Sequence, residues 1–138
     1  MATNTQFAIA AHLMAALAYR QGADLTSAHL AMSVNTSPSF IRRTLARLAK
    51  AGLVKTTTGK SGACRLEKRP ERISLLDIYK AVGAPKAFSI HTYPDQKACM
   101  VSCCIKKSLS KVLQKTQAGM EASLGKISLA EVLTDMKS

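Results

Sequence analysis

The sequence predicts a mainly α-helical fold carrying one small β-hairpin, and three observations predict it. Apolar residues recur at three- and four-residue spacing through residues 5–51. Two β-rich stretches then flank the turn Gly59-Lys60-Ser61-Gly62. A long amphipathic segment follows a proline-bounded loop.

The first helix is expected to begin near Asn4 or Thr5, either of which can cap exposed backbone N–H groups. Phe7, Ala10, Ala11, Met14, Leu17 and Ala18 form its buried face, and Gly22 ends it. A second helix opens at Thr26 or Ser27 and places Leu30, Ala31 and Val34 inward. Asn35-Thr36 makes a turn. Ser37 then caps a third helix, with Pro38 at its first position, where the missing N–H is harmless. Ile41, Leu45 and Leu48 are its buried stripe, and Gly52 stops it at C′. LVKTTT and ACRLEKR are the strands of a hairpin. Helix-turn-helix followed at once by a hairpin is a winged helix-turn-helix.

Ser74-Leu75-Leu76-Asp77 resembles a capping box with Asp in place of Glu, and opens a short helix through Val82. Gly83 to Pro94 reads as a loop closed by Pro85 and Pro94. A long helix is expected from about Ser102 to Leu124. Val101, Ile105, Leu109, Val112, Leu113, Thr116, Met120 and Leu124 lie on one side of it, and Lys106, Lys107, Lys111 and Lys115 on another. Ser128 and Glu131 make a capping box for a last helix to about Met136.

Composition narrows the function. Of 138 residues, 47% are hydrophobic, enough to bury a core. No apolar run approaches the roughly 18 residues of a membrane span, so no membrane association is expected. The N-terminal apolar stretch has no basic flank and is interrupted by His12, so it reads as a mature helix rather than a signal peptide, and the expected compartment is the cytoplasm. The net charge is +12, and the excess concentrates in the first 69 residues, which hold ten basic and two acidic side chains. Such an imbalance costs self-repulsion and points to a polyanionic partner, here double-stranded DNA.

An enzyme is not expected. His12, His29 and His91 are scattered, and no nucleophile elbow, phosphate loop or paired carboxylates are present. A single-strand or RNA binder would want stacking aromatics, and the chain has three Phe, three Tyr and no Trp. A winged-helix adaptor that does not bind DNA stays open as an alternative. The expected DNA contacts are Ser37, Ser39, Arg42, Arg43, Arg47 and Lys50 on the third helix and Lys60, Ser61 and Arg65 in the wing. Arg42 or Arg43 can fork onto guanine O6 and N7, whereas Arg47 and Lys50 suit phosphates. A basic glycine-flanked tip can approach a backbone or a minor groove.

The run KAGLVKTTTGKSGACRLEKRPERISLLDIYKAV resembles the Rrf2 family of winged helix-turn-helix transcription regulators. Leu48, Lys50, Ala51, Gly52, Leu53, Val54, Gly59, Gly62, Leu66, Pro70, Ile73, Leu75, Asp77 and Ile78 occupy the family's pattern. VNTSPSFIRRTLARL and SLLDIYKAV look most like its YwnA-like branch. The resemblance covers nearly the whole chain. It implies a homodimer whose long helix crosses its twin, a pseudo-palindromic operator, and repression released by a redox, metal or small-molecule signal. The chain then divides into a DNA-binding domain at 1–82, a cysteine-bearing loop at 83–101, and a dimerisation helix with a C-terminal helix at 102–138.

Family members also hold iron–sulfur clusters on three well-spaced cysteines. Here Cys99, Cys103 and Cys104 are crowded, and adjacent cysteines point apart on a helix. A cluster would also want a fourth ligand. No cofactor is therefore expected, with an iron–sulfur sensor kept as the alternative and zinc on Cys99, Cys103, Cys104 and His91 as another. A thiol switch on the same three cysteines stands beside the reading of small apolar fillers at the dimer seam. Lys97, Lys106, Lys107 and the start of the long helix surround them with positive charge, the setting in which cysteines react. Cys64 is expected to be a small buried or half-exposed residue.

Overall fold

The computed structural model describes residues 4–21, 24–57 and 63–138. It comprises two compact units, Met1–Ala84 with Leu124–Ser138, and Pro85–Ser123.

In the first unit, α1 runs Gln6–Tyr19, α2 Ser27–Val34 and α3 Pro38–Lys50. Asn4 starts α1, its Oδ1 accepting the Gln6 N–H at 3.0 Å, while Thr5 makes no side-chain cap. Gly22, the expected stop of α1, lies outside the described residues. The buried set of α1 is Ala10, Leu13, Met14, Ala15, Leu17 and Ala18. Leu13 and Ala15 join the expected face because α1 packs against α2, α3 and further elements named below, on several sides at once. Phe7 is half-buried and meets Tyr79 edge-on, with ring centroids 5.8 Å apart.

Thr26 caps α2 through a box closed by His29. Its Oγ1 accepts the His29 N–H at 3.2 Å, and its own N–H donates to His29 Nδ1 at 3.2 Å. Asn35 ends α2 in the left-handed region at φ 69°, a conformation its short polar side chain tolerates. Ser37 Oγ accepts the Phe40 N–H, with Pro38 in the first turn of α3. Ile41, Leu45 and Leu48 are buried as expected. Thr44 joins them, its hydroxyl donating to the Phe40 carbonyl at 3.2 Å and so carrying no unsatisfied polarity into the core. At the end of α3, Gly52 takes φ 78°, and the Leu53 N–H closes back on the Leu48 carbonyl at 3.0 Å.

Strands β1 (Val54–Thr56) and β2 (Cys64–Leu66) pair antiparallel, Lys55 opposite Arg65. The hairpin is stitched to the α1–α2 connection by the Cys64 N–H, which donates to Leu25 O at 2.8 Å. Helix α4 (Leu75–Ala81) starts with the expected Ser74–Asp77 capping box.

The last helix, α6 (Leu129–Lys137), starts with the Ser128–Glu131 box. It belongs to the first unit. Leu75 N–H donates to Ile127 O at 2.9 Å, Leu129 N–H donates to Ile73 O at 2.8 Å, and Leu129 is fully buried. The two capping-box serines face each other in that bridge. Contacts of α6 with α1 complete the core.

In the second unit the long helix α5 (Met100–Gly125) starts two residues before the expected Ser102, and none of its residues is buried. The preceding segment lies along it. Ala87 N–H donates to Gln117 Oε1 at 3.0 Å, Gln96 N–H to Ser102 Oγ at 2.7 Å, and Lys106 pairs with Asp95 at 2.9 Å. Among the described residues no helix is long and apolar enough to cross a membrane.

Candidate nucleic-acid interface

Helix α3 carries the site, and its buried side fixes which residues look outward. Successive residues turn by about 100°. With Ile41, Thr44, Leu45 and Leu48 held in the core, the opposite row is Ser39, Arg43, Ala46 and Lys50, all exposed. Arg42 lies on one flank of that row and Arg47 on the other. No acidic residue occurs on α3, so no local carboxylate competes for these cations. Ala46 is small and leaves the row open.

The cationic side chains are not equivalent. Arg42 Nη2 donates to Ser39 Oγ at 3.2 Å, which pre-orients both at the start of the helix. The Arg43 guanidinium stands 5.8 Å from the Phe40 ring centroid, a cation–π contact that leaves its fork available. Arg47 is tethered, with Nη1 donating to the Val82 carbonyl at 2.9 Å. That carbonyl belongs to the C-cap of α4, so Arg47 also satisfies an orphan helix-end acceptor. Ser37 sits at the helix N-terminus with its hydroxyl engaged in the cap.

In the wing, Arg65 is held by Asp24 through two contacts of 2.7 and 3.0 Å to one carboxylate oxygen. Lys60 and Ser61, the expected tip contacts, lie outside the described residues, as do Gly59 and Gly62. Sequence reasoning passed over Lys55, which is exposed beside Arg65 on β1. Its signal was its place in a strand of a basic hairpin.

In the second unit, Cys99, Cys103 and Cys104 are all exposed. Cys99 Sγ accepts the Ser102 N–H at 3.4 Å, standing as the cap of α5. Cys103 Sγ donates to the Gln96 and Lys97 carbonyls at 3.4 and 3.5 Å. Lys106 bridges Asp95 and the Tyr93 carbonyl. His91 is exposed in the loop. Cys64 is of another kind: it is 2% exposed in the wing unit, and burial pushes its thiol upward from the ordinary 9.0.

A winged helix-turn-helix with an acid-free, arginine-bearing second helix, joined to a long helix that buries none of its own residues, defines a DNA-binding transcription regulator. The family model described as the Rrf2 iron-dependent transcriptional regulator matches residues 3–135, and the chain belongs to that family. It is 33% identical over 134 residues to the HTH-type transcriptional regulator YwnA of Bacillus subtilis (strain 168), covering 96% of this chain and 98% of that one. A crystal structure of a protein described as DNA-binding superposes with a TM-score of 0.74 at 31% identity, covering 93% of this chain and 98% of that one. The oxidised form of CymR from Staphylococcus aureus shares the fold, with a TM-score of 0.71 at 20% identity over 96% of each chain.

The family's description raises iron. Within one chain the donor set does not fit a cluster. Among the described residues no three His, Cys, Asp or Glu side chains come together as a metal site. Cys103 and Cys104, being consecutive on α5, point about 100° apart, and the Cys103 thiol is turned to two backbone carbonyls.

Proposed function

We propose that the protein is a cytoplasmic, homodimeric repressor that binds a pseudo-palindromic operator and is controlled by its cysteines. The single observation that carries DNA reading is the outward row Ser39–Arg43–Ala46–Lys50, fixed from behind by Ile41, Leu45 and Leu48. Arg43, exposed with its guanidinium 5.8 Å from the Phe40 ring centroid, is the base reader, forking onto guanine O6 and N7 in the major groove. Arg42, Ser39 and Lys50 meet phosphates beside it. Ser37 belongs to the same end of the helix, where backbone N–H groups favour a phosphate.

Arg47 spends one donor on Val82 and has others left for a phosphate, so it both contacts DNA and positions α3. Lys60 and Ser61 follow the backbone at the wing. Arg65 reaches DNA only by sharing or leaving Asp24. The unburied α5 supports dimerisation, because two copies would bring two α3 helices to successive turns of one DNA face.

The test is binding to a duplex from the protein's own promoter region. Affinity should fall steeply with salt, as log K against log salt with a slope set by the phosphates neutralised. Arg43→Ala should lose about 1–3 kcal/mol of discrimination against a base-substituted operator, while Lys50→Ala should weaken all duplexes alike and flatten the salt slope by about one. Equal binding of operator and scrambled duplex by the parent protein overturns the assignment.

A further inference from the structure

We infer that Cys99 and Cys103 form a hydroperoxide-reactive pair in which Cys99 is the attacking thiol and Cys103 the resolving one. The inference rests on the cysteine-controlled regulator proposed above and names its chemistry.

The two sulfurs are held in opposite hydrogen-bonding roles. Cys99 Sγ is an acceptor, taking the Ser102 N–H in the cap of α5, where N–H groups and the helix dipole stabilise negative charge. Cys103 Sγ is a donor, its S–H turned to the Gln96 and Lys97 carbonyls. The first sulfur thus takes a donor, and the second has its S–H turned to two acceptors. Both are exposed. Cys103 lies about 160° around α5 from Ile105, away from the apolar side proposed for the dimer, so a second copy leaves the pair open to solvent.

Spacing permits closure. Cys103 N–H donates to Cys99 O at 3.0 Å, the separation of one helical turn. That puts the α-carbons about 6 Å apart, within disulfide reach, while the β-carbons at about 5–6 Å must close to about 4 Å. Cys104, about 100° further round the helix, has no such relation to Cys99.

The chemistry balances in two steps. The Cys99 sulfur attacks one oxygen of ROOH. An S–O bond forms at the OH-bearing oxygen, the O–O bond breaks, and the electron pair leaves on RO⁻, which takes up the proton given up by the Cys99 thiol, relayed through water, to give ROH. The sulfur is oxidised by two electrons and the peroxide reduced by two. The Cys103 sulfur then attacks the Cys99 sulfenic acid. The S–S bond forms, and hydroxide leaves with the Cys103 proton as water. An external dithiol returns two electrons and two protons to reset the pair. Closure withdraws Cys99 from the Ser102 N–H and Cys103 from the Gln96 and Lys97 carbonyls. It therefore unfastens the cap of α5 and the segment Gln96–Cys99 together, the mechanical event that the regulator would read.

The test is cumene hydroperoxide or hydrogen peroxide added to the intact protein at a few equivalents, followed by peptide mass mapping and non-reducing electrophoresis. The expected product is a chain two hydrogens lighter, monomeric on the gel, with the bridge between Cys99 and Cys103. Cys103→Ala should stop at the sulfenic acid, giving a dimedone adduct on Cys99. Cys99→Ser should leave Cys103 reduced at the same dose. A bridge to Cys104, a chain-to-chain bridge, or untouched thiols each overturn the pair. This readout involves no DNA, so its failure is separate from failure of operator binding. Loss or gain of operator affinity on oxidation, abolished in Cys103→Ala, then reports whether the bridge is a regulatory event.

Discussion

Single side chains decide how much of the chain's positive charge is available to DNA. Arg65 is neutralised by Asp24 in a pair that is 59% exposed on each side, so the pair contributes only about 0–1 kcal/mol to stability. Its consequence is electrostatic. Asp24→Asn removes a negative charge beside the wing and releases the guanidinium. We expect it to raise affinity for any duplex by several-fold, with a steeper salt slope and nearly unchanged Tm, as read by fluorescence anisotropy at two salt concentrations. Unchanged affinity would place the Arg65 side of the hairpin away from DNA.

Cys64 makes the opposite case. Burial raises its thiol above 9.0, so the folded state favours the protonated form. The stability this gives is fully present below pH 9 and is lost as pH rises through the higher folded value. Chemical denaturation at pH 8 and pH 10 should show the decline, and Cys64→Ala should abolish the part due to this group. In the native protein an alkylating reagent should label Cys99, Cys103 and Cys104 quickly and spare Cys64 until unfolding.

At the scale of elements, the C-terminal helix is bound to the DNA-binding unit by the Ser74–Ser128 bridge, by buried Leu129 and by its packing on α1. Leu129→Ala should cost about 2–5 kcal/mol, because Leu129 is fully buried against the first unit. It should lower the single unfolding transition of that unit and weaken DNA binding in proportion, with no change in oligomeric state. This destination was not legible in the sequence. The Ser128–Glu131 box announced the helix and its start, but a cap is a local signal and carries no address. The backbone bonds to Ile73 and Leu75 that set the address are non-local.

Helix α3 was legible almost residue for residue. Ser37-Pro38 fixed its start, Gly52 its end, and a strong polar–apolar division its buried stripe. In α1 the division is weak, since Ala and Leu line most of its circumference and neighbours cover it on several sides, so Leu13 and Ala15 gave no periodic signal. Of the site, the outward arginines were legible from α3 alone. The Arg47–Val82 bond and the Arg65–Asp24 pair were not, because each joins residues far apart in the chain.

For the molecule as a whole, assembly would give the long helix the partner face that it lacks alone. A helix of 26 residues with none buried gains little from packing, and most helical stability in proteins comes from an apolar face against a neighbour. Val101 and Val112 are 66% and 55% exposed, and they fall on one stripe with Ile105 and Leu109. Burying that stripe against its twin would stabilise by roughly 25 cal/mol for each Å² of apolar surface covered. Val112→Asp places a charge in the middle of the stripe, where a dimer would have to desolvate it. For the proposed dimer, analytical ultracentrifugation should find the parent dimeric and the variant monomeric at the same concentration. Operator affinity should fall by orders of magnitude, because the two half-sites no longer share one binding event, while weak binding to a single half-site survives through Arg43. A variant that stays dimeric with unaltered operator affinity would put the interface elsewhere and separate the long helix from the pairing of the two α3 helices.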